Sequence, residues 1–374
     1  MNAGDEITIA PTELVAGGAA LARIDGFPIF ATNIYPGDVA HVRVTEVKKG
    51  FARAELVRVI TPSTLRRAAP CPIAEECGGC DWTALRLDAQ LLAKKRILTE
   101  SLRRIGKISD YPSIAIHPSP LNYRMRSRLH REGDVVGFYA MGSHRVVPLA
   151  HECEVVGIKT ARVFGGGPPS SAAAAEDRGT PLSVWEIDGR LIRGDQELII
   201  RVDQFTYRLS TSSFFQVNRH LLGTLLRLVT GHAERVRKKR LAVDLYAGVG
   251  FFTRPLAQMF EKVIAVEGSV DPYATIEMVH SPVERFEIPD ADFIFLDPPR
   301  AGTRKSVVEA IGRRARSIWA GRPRPAALVA VRKCPTHQLD AAPGPRRAGS
   351  TPRLWPRAAW AALRMPSRLR APRA

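Results

Sequence analysis

Three sets of residues in this chain have the types and spacing of chemistry. Residues Val243 to Phe251 read Val-Asp-Leu-Tyr-Ala-Gly-Val-Gly-Phe, Glu267 closes the next apolar run, and Phe293 to Gly302 read Phe-Ile-Phe-Leu-Asp-Pro-Pro-Arg-Ala-Gly. A Gly-X-Gly turn lets backbone approach a ligand closely, and a carboxylate after the second strand can accept two ribose hydroxyls. Together they describe a nucleotide-like cofactor pocket at the carboxyl edge of an open α/β sheet. No glycine stands where a dinucleotide fingerprint needs its third, which disfavours a nicotinamide cofactor. The second set is Cys71, Cys77 and Cys80, spaced C-x5-C-x2-C, with Cys153 downstream in His-Glu-Cys-Glu. Four soft thiolates suit either zinc or an iron–sulfur cluster. The third is Tyr-Arg-Met-Arg-Ser-Arg-Leu-His-Arg, which crowds Arg124, Arg126, Arg128, His130 and Arg131 into one strand. Alternate cations on a strand form a row suited to tracking a phosphate backbone.

The elements that must position these groups follow from patterning. A chain of 374 residues with 45% apolar composition can bury more than one core. Its 55 basic and 37 acidic residues leave a net charge of +18, the balance of a protein that meets nucleic acid. No run of about twenty apolar residues occurs, and the start Met-Asn-Ala-Gly-Asp-Glu lacks a basic flank and apolar stretch. A cytoplasmic protein is expected, and five cysteines, an odd number with three clustered, make disulfides the weaker explanation. Short alternating runs from Glu6 to Ile60 predict a small β-barrel, with Lys48, Lys49, Arg53 and Arg58 available to RNA. Leucines and an isoleucine at helical spacing predict a helix over 83–106. Strands return over 123–155, and 165–179 reads as a loop. Further strands at 182–185 and 197–202 lead to a helix near 218–230 and to doubly wound strands at 241–245, 263–266 and 293–296. Only about ten residues separate Glu267 from Met278, too few for a crossover helix. After Asp340 there is no Asp, Glu or Lys, and prolines from Pro343 to Pro372 exclude regular strands.

In this order the motifs resemble the uracil-C5 RNA methyltransferases, most closely the bacterial 23S ribosomal RNA members with an N-terminal TRAM barrel and an iron–sulfur cluster. The resemblance runs from about residue 6 to about residue 333. It is carried by the cysteine set, by Asn122-Tyr123-Arg124 with Gly137-Phe138-Tyr139 and Gly142-Ser143-His144, by Ser212-Ser213-Phe214-Phe215-Gln216-Val217-Asn218, and by the Gly-X-Gly and Asp-Pro-Pro-Arg pair. Arg300 argues against the amino-methyltransferases, which carry an aromatic there. The resemblance implies a multidomain α/β and β protein. Its parts are an OB-like TRAM barrel at 1–60, a central cluster-bearing α+β domain at 61–211 and a Rossmann-like methyltransferase domain at 212–333. It implies that Cys71, Cys77, Cys80 and Cys153 hold a [4Fe-4S] cluster and that the helix over 83–106 packs on the methyltransferase domain. It further implies that Gln216, Tyr246, Gly248, Phe251, Glu267 and Asp297 hold S-adenosyl-L-methionine or orient the base, while Pro282 falls where the family contacts adenine. The implied partner is 23S rRNA, and the implied form a monomer.

Methylation at C5 of uracil needs a nucleophile, because that carbon is not basic enough to attack a methyl sulfonium directly. A thiolate adds to C6, the resulting enolate takes the methyl group, and a base removes the C5 proton before the thiolate leaves. In the family the thiol follows the fifth strand and a Glu nearer the C-terminus is the base. Ala326 to Val331 is the candidate strand here, and Cys334 the candidate nucleophile. Lys333 replaces the family's Ser, the Asp or Asn before Pro is missing, and no carboxylate follows Asp340. These departures predict that 334–374 is a disordered or out-of-frame tail. The alternatives are a catalytically impaired RNA-binding homologue and a tRNA uridine-C5 methyltransferase.

Overall fold

The computed structural model describes residues 1–111, 113–133, 135–149, 152–156, 182–299, 302–317 and 328–330. The alternating N-terminal runs fold into β1 (Glu6–Ile9), β2 (Glu13–Leu14), β3 (Ala20–Ile24), β4 (Phe27–Ala31), β5 (Val39–Lys48) and β6 (Phe51–Thr61). They form one sheet in the order β1-β5-β6-β4-β3-β2, with β4 and β6 parallel and the other pairs antiparallel. Inward positions such as Ile29, Ala40, Val42 and Ala52 are fully buried. Asp38 is also fully buried, but it accepts from the Tyr35 and Ser63 amides (2.6 and 2.7 Å) and from the Arg66 guanidinium. Such complete pairing is what a carboxylate needs to sit in a core.

Helix α1 (Leu87–Glu100) continues into a π-helical turn, Ser101–Gly106, that ends at left-handed Lys107. It starts four residues later than the spacing predicts, because the Leu85 and Arg86 amides are taken by the carbonyls of Trp82 and Leu65. The helix packs on the barrel, whereas the resemblance implied the methyltransferase unit: Ala89 and Ala93 join the barrel core and Arg96 pairs with Glu13 at 3.1 Å. Its small residues face the barrel, and Leu92 is 69% exposed.

The central sheet has the order β11-β10-β7-β8-β9, built from β7 (Arg126–Glu132), β8 (Val135–Tyr139), β9 (Val146–Pro148), β10 (Leu182–Ile187) and β11 (Arg190–Arg193). A hairpin of β12 (Glu197–Val202) and β13 (Phe205–Ser210) follows, then α2 (Leu222–Glu234). The last sheet comprises β14 (Leu241–Leu245), β15 (Lys262–Glu267), β16 (Val279–His280), β17 (Phe293–Leu296) and β18 (Leu328–Ala330), with α3 (Thr253–Ala257) and α4 (Lys305–Ser317). Its order is β16-β15-β14-β17-β18 and all its pairs are parallel. Chain direction across the sheet reverses between β14 and β17, the place where such folds open a ligand crevice. No helix joins β15 to β16, as the short spacer requires. One core runs from Met125 and Trp185 through Tyr207 and Phe215 to Phe251 and Phe295. Each of these large side chains, fully buried, contributes about 2 kcal/mol. Among the described residues no helix is long and apolar enough to cross a membrane.

Candidate active site and cysteine cavity

The β14 and β17 ends bring the two opening motifs together. Left-handed Gly248 and Gly250 (φ 58° and 81°) turn the chain away from β14. The Gly248 amide donates to Glu267 Oε2 at 2.9 Å, and the Ser269 amide donates to Oε1 at 3.0 Å. The carboxylate after β15 is thus aimed by backbone, each oxygen keeping a further lone pair for a ligand hydroxyl. From the irregular segment between β13 and α2, Gln216 Nε2 donates to Asp297 Oδ2 at 2.8 Å. Gln216, Gly248, Glu267 and Asp297 therefore meet at one sheet edge. Phe251 does not line it with its ring, which is 4% exposed and packs on Tyr207, Phe215 and Phe252; it is a floor residue. Pro282 opens a short 3-10 turn just beyond β16. Cys334, Arg300 and Ala301 lie outside the described residues.

Two features of the edge escape sequence reasoning. Tyr246 adopts φ 61°, a costly conformation for an aromatic residue. Its hydroxyl bonds Thr303 Oγ1 at 2.6 Å and donates to Glu284 Oε1 at 3.2 Å, tying β14 to the chain just after Asp-Pro-Pro-Arg-Ala-Gly. Burial pushes its pKa up to about 12. Asp244, two residues earlier, is fully buried; Thr253 Oγ1 donates to its Oδ2 at 2.6 Å and Oδ1 has no hydrogen-bond partner among the described residues. Burial drives its pKa up to about 7, against the Thr253 bond and reinforced by the charges of Asp297 and Glu267. Three carboxylates at one edge make a field that favours a cationic ligand. The signal available beforehand was the Asp in Val-Asp-Leu-Tyr, which reads as one polar interruption of an apolar strand.

Cys71, Cys77, Cys80 and Cys153 line a single cavity with Arg124 and Phe138, and none of the four is in a disulfide. Tight turns set them: the Ala74 amide donates to the Cys71 carbonyl and the Cys77 amide to that of Ile73. The Gly78 amide reaches Tyr139 O at 2.8 Å, and a Cβ on Gly78 would stand 2.9 Å from that oxygen, so the Cys-Gly-Gly-Cys turn needs its glycine here. Burial pushes the Cys77 thiol up to about 11 and the Cys80 thiol to about 12, with the other cysteines adding mutual repulsion. Cys153 is raised by burial as well. Four thiolates here need a cationic centre to ionise. Among the described residues no three Cys, His, Asp or Glu side chains form a ready site for one metal ion. The four cysteines share one cavity, and an all-thiol donor set suits zinc or an iron–sulfur cluster.

The expected row of cations is not presented. β7 is the middle strand of its sheet, and its basic side chains divide between buried and exposed positions. Arg124 is buried beside the cysteine cavity, His130 is buried and stacked on Tyr139, and Arg126 lies over Trp185. Arg128 is exposed and Arg131 partly so. On the barrel, Lys48, Lys49, Arg53 and Arg58 are exposed, although Lys48 and Arg53 share Glu46.

Residues 3–57 match the family model of the TRAM domain and residues 192–288 that of tRNA (uracil-5-)-methyltransferase. An uncharacterized RNA methyltransferase from Corynebacterium efficiens is 31% identical, with 83% of each chain covered. The chain belongs to this family of RNA methyltransferases. Another uncharacterized RNA methyltransferase of this kind, from Gloeobacter violaceus, is 28% identical over 82% of this chain and 85% of its own. The fold is similar to that of Pyrococcus abyssi tRNA (uracil-54, C5)-methyltransferase, solved in complex with S-adenosyl-L-homocysteine, at a TM-score of 0.60 and 20% identity, over 82% of this chain and 88% of that one. As a family member the protein is a methyltransferase whose Gly-X-Gly edge and Asp-Pro-Pro segment stand at the sheet's reversal point.

Proposed function

We propose that the protein transfers a methyl group from S-adenosyl-L-methionine to C5 of a uridine in 23S rRNA, as a cytoplasmic monomer. The observation that carries this is the 2.8 Å bond from Gln216 to Asp297, which joins the Phe-Gln-Val-Asn segment to the Asp-Pro-Pro motif beside the Gly-X-Gly turn. Glu267 is aimed for the ribose hydroxyls, Gly248 admits the ligand to backbone contact, and Tyr246 braces the loop facing the base. The cofactor supplies an electrophilic methyl on a cationic sulfur, which the three carboxylates favour. Cys334 adds to C6 of the uracil, the C5 enolate accepts the methyl group, and removal of the C5 proton expels the thiolate. Cys71, Cys77, Cys80 and Cys153 hold a [4Fe-4S] cluster that organises the central domain. TRAM barrel and cysteine set together favour 23S rRNA over tRNA, since the resemblance ties that pairing to the ribosomal enzymes.

A second reading, an RNA-binding homologue with impaired catalysis, is favoured by the missing carboxylate after Asp340 and by the altered flanks of Cys334. One experiment separates them. Labelled cofactor is incubated with 23S rRNA or tRNA, followed by analysis for C5-methyluridine and for an RNA adduct lost in Cys334→Ala. Methylation of 23S rRNA with such an adduct is expected; RNA binding without methyl transfer favours the second reading, and transfer to tRNA alone redirects the substrate. Iron and sulfide analysis with a visible spectrum tests the cluster, and a colourless protein with stoichiometric zinc overturns it.

A further inference from the structure

We infer that Arg126 is a positioning residue for the cofactor pocket and not an RNA-binding cation. Residues 211–217, between β13 and α2, form neither helix nor strand, so their carbonyls need donors from elsewhere. The central sheet supplies them in succession. Trp185 Nε1 donates to the carbonyl of Thr211 at 2.9 Å, Arg126 Nη2 to that of Ser212 at 3.3 Å and Arg126 Nη1 to that of Ser213 at 2.7 Å. Arg126 Nε donates to Ser183 Oγ at 3.2 Å, and the guanidinium carbon lies 5.2 Å from the centroid of the Trp185 ring, itself fully buried. All three guanidinium nitrogens are thus engaged within the protein.

The clamp acts on the residue that matters for the cofactor. Phe215 is buried against Tyr207 and Phe251, which leaves Gln216 to reach Asp297. On the far side the Met125 amide donates to the Val217 carbonyl at 2.8 Å, the Arg219 amide donates to the Tyr123 carbonyl at 2.9 Å, and Arg124 bridges Asn218. The Gln216 backbone is therefore fixed from both ends by residues 123–126. Only a planar fork spans two adjacent carbonyls while stacking on an indole; an ammonium does not.

This inference rests on Gln216 contacting the cofactor, so Gln216→Ala is measured beside Arg126→Ala, Arg126→Lys and Arg128→Ala. The readouts are S-adenosylmethionine affinity by calorimetry and the salt dependence of rRNA affinity. Arg126→Ala is expected to weaken cofactor binding about tenfold or more, with Arg126→Lys in between, while the salt slope of RNA binding stays that of the parent. Arg128→Ala is expected to lower that slope by about one and leave cofactor affinity alone. A slope lowered by Arg126→Ala with cofactor affinity intact overturns the inference. If Arg126→Ala does not fold, Arg126→Lys and Trp185→Phe decide: weaker cofactor binding at a normal salt slope supports the clamp, and normal binding in both overturns it. Unchanged affinity in Gln216→Ala would instead show that the reading of the cofactor site is wrong.

Discussion

Asp244 shows what a single buried acid does to a binding site. Its pKa of about 7 in the folded protein lies above the ordinary 3.8, so its contribution to stability is fully present below the ordinary value and is lost as pH rises through about 7. A sulfonium near the three carboxylates reverses that preference by favouring the ionised form. Affinity for S-adenosylmethionine is therefore expected to rise about tenfold per pH unit below pH 7 and to level off above it. S-adenosylhomocysteine, which lacks the sulfonium charge, is expected to show a shallower rise, and Asp244→Asn to flatten both. Calorimetry at pH 6 and pH 8 reads the difference; identical profiles for the two ligands would remove the charge argument. At this scale the placement of Gly248, Glu267 and Asp297 at one edge was legible, because glycine turns and strand-end carboxylates have local signatures, whereas Gln216 was reached only through the resemblance of its Phe-Gln-Val-Asn segment. The turned-in Arg124 and Arg126 were not, because a run of alternating cations looks the same on a central strand as on an exposed one.

The missing crossover helix between β15 and β16 is the clearest case of an element predicted from length alone. What the spacer does instead depends on tertiary contacts. Residues 268–278 fold back over the Gly-X-Gly turn: Ile276 fills the space that a Cβ on Gly250 would occupy, Arg254 bonds Thr275, and Asp271 accepts from the Ser210 and Tyr273 amides at 2.9 and 2.8 Å. Asp271→Ala removes both of the last two contacts and is expected to cost about 1–3 kcal/mol. Limited proteolysis should then cut the spacer faster than in the parent, and an unchanged cleavage rate would show that Ile276 and Arg254 suffice. Strand spans at β12, β14 and β17 followed from apolar runs and matched to the residue. Helix α1 was harder to place, since its leucine spacing gave a helix but not its partner, and the alanine face that meets the barrel carries no distinct signature.

Across the described residues, the four sheets and the motifs they carry follow the order read from the residues. The methyltransferase core, however, reaches back to Leu198, Trp185 and Met125, across the boundary expected at residue 212. Aromatic packing between sheets leaves no mark in a linear pattern, so such continuity was invisible. The tail after residue 330, including Cys334, lies outside the described residues. Residues 122–126 hold the remaining consequence. The Asn122 and Arg124 amides donate to the carbonyls of Glu154 and Val155, directly after Cys153, while Met125 and Arg124 engage Val217 and Asn218. One short ribbon is thus stitched along its length to the last thiol of the cavity and to the segment bearing Gln216. Linkage between such sites runs both ways. Saturating metal-free protein with S-adenosylmethionine is expected to slow alkylation of Cys153 by about fivefold or more, measured by mass spectrometry with Cys71 as the internal comparison. Equal rates with and without ligand would mean that the ribbon holds its two neighbours without carrying news between them.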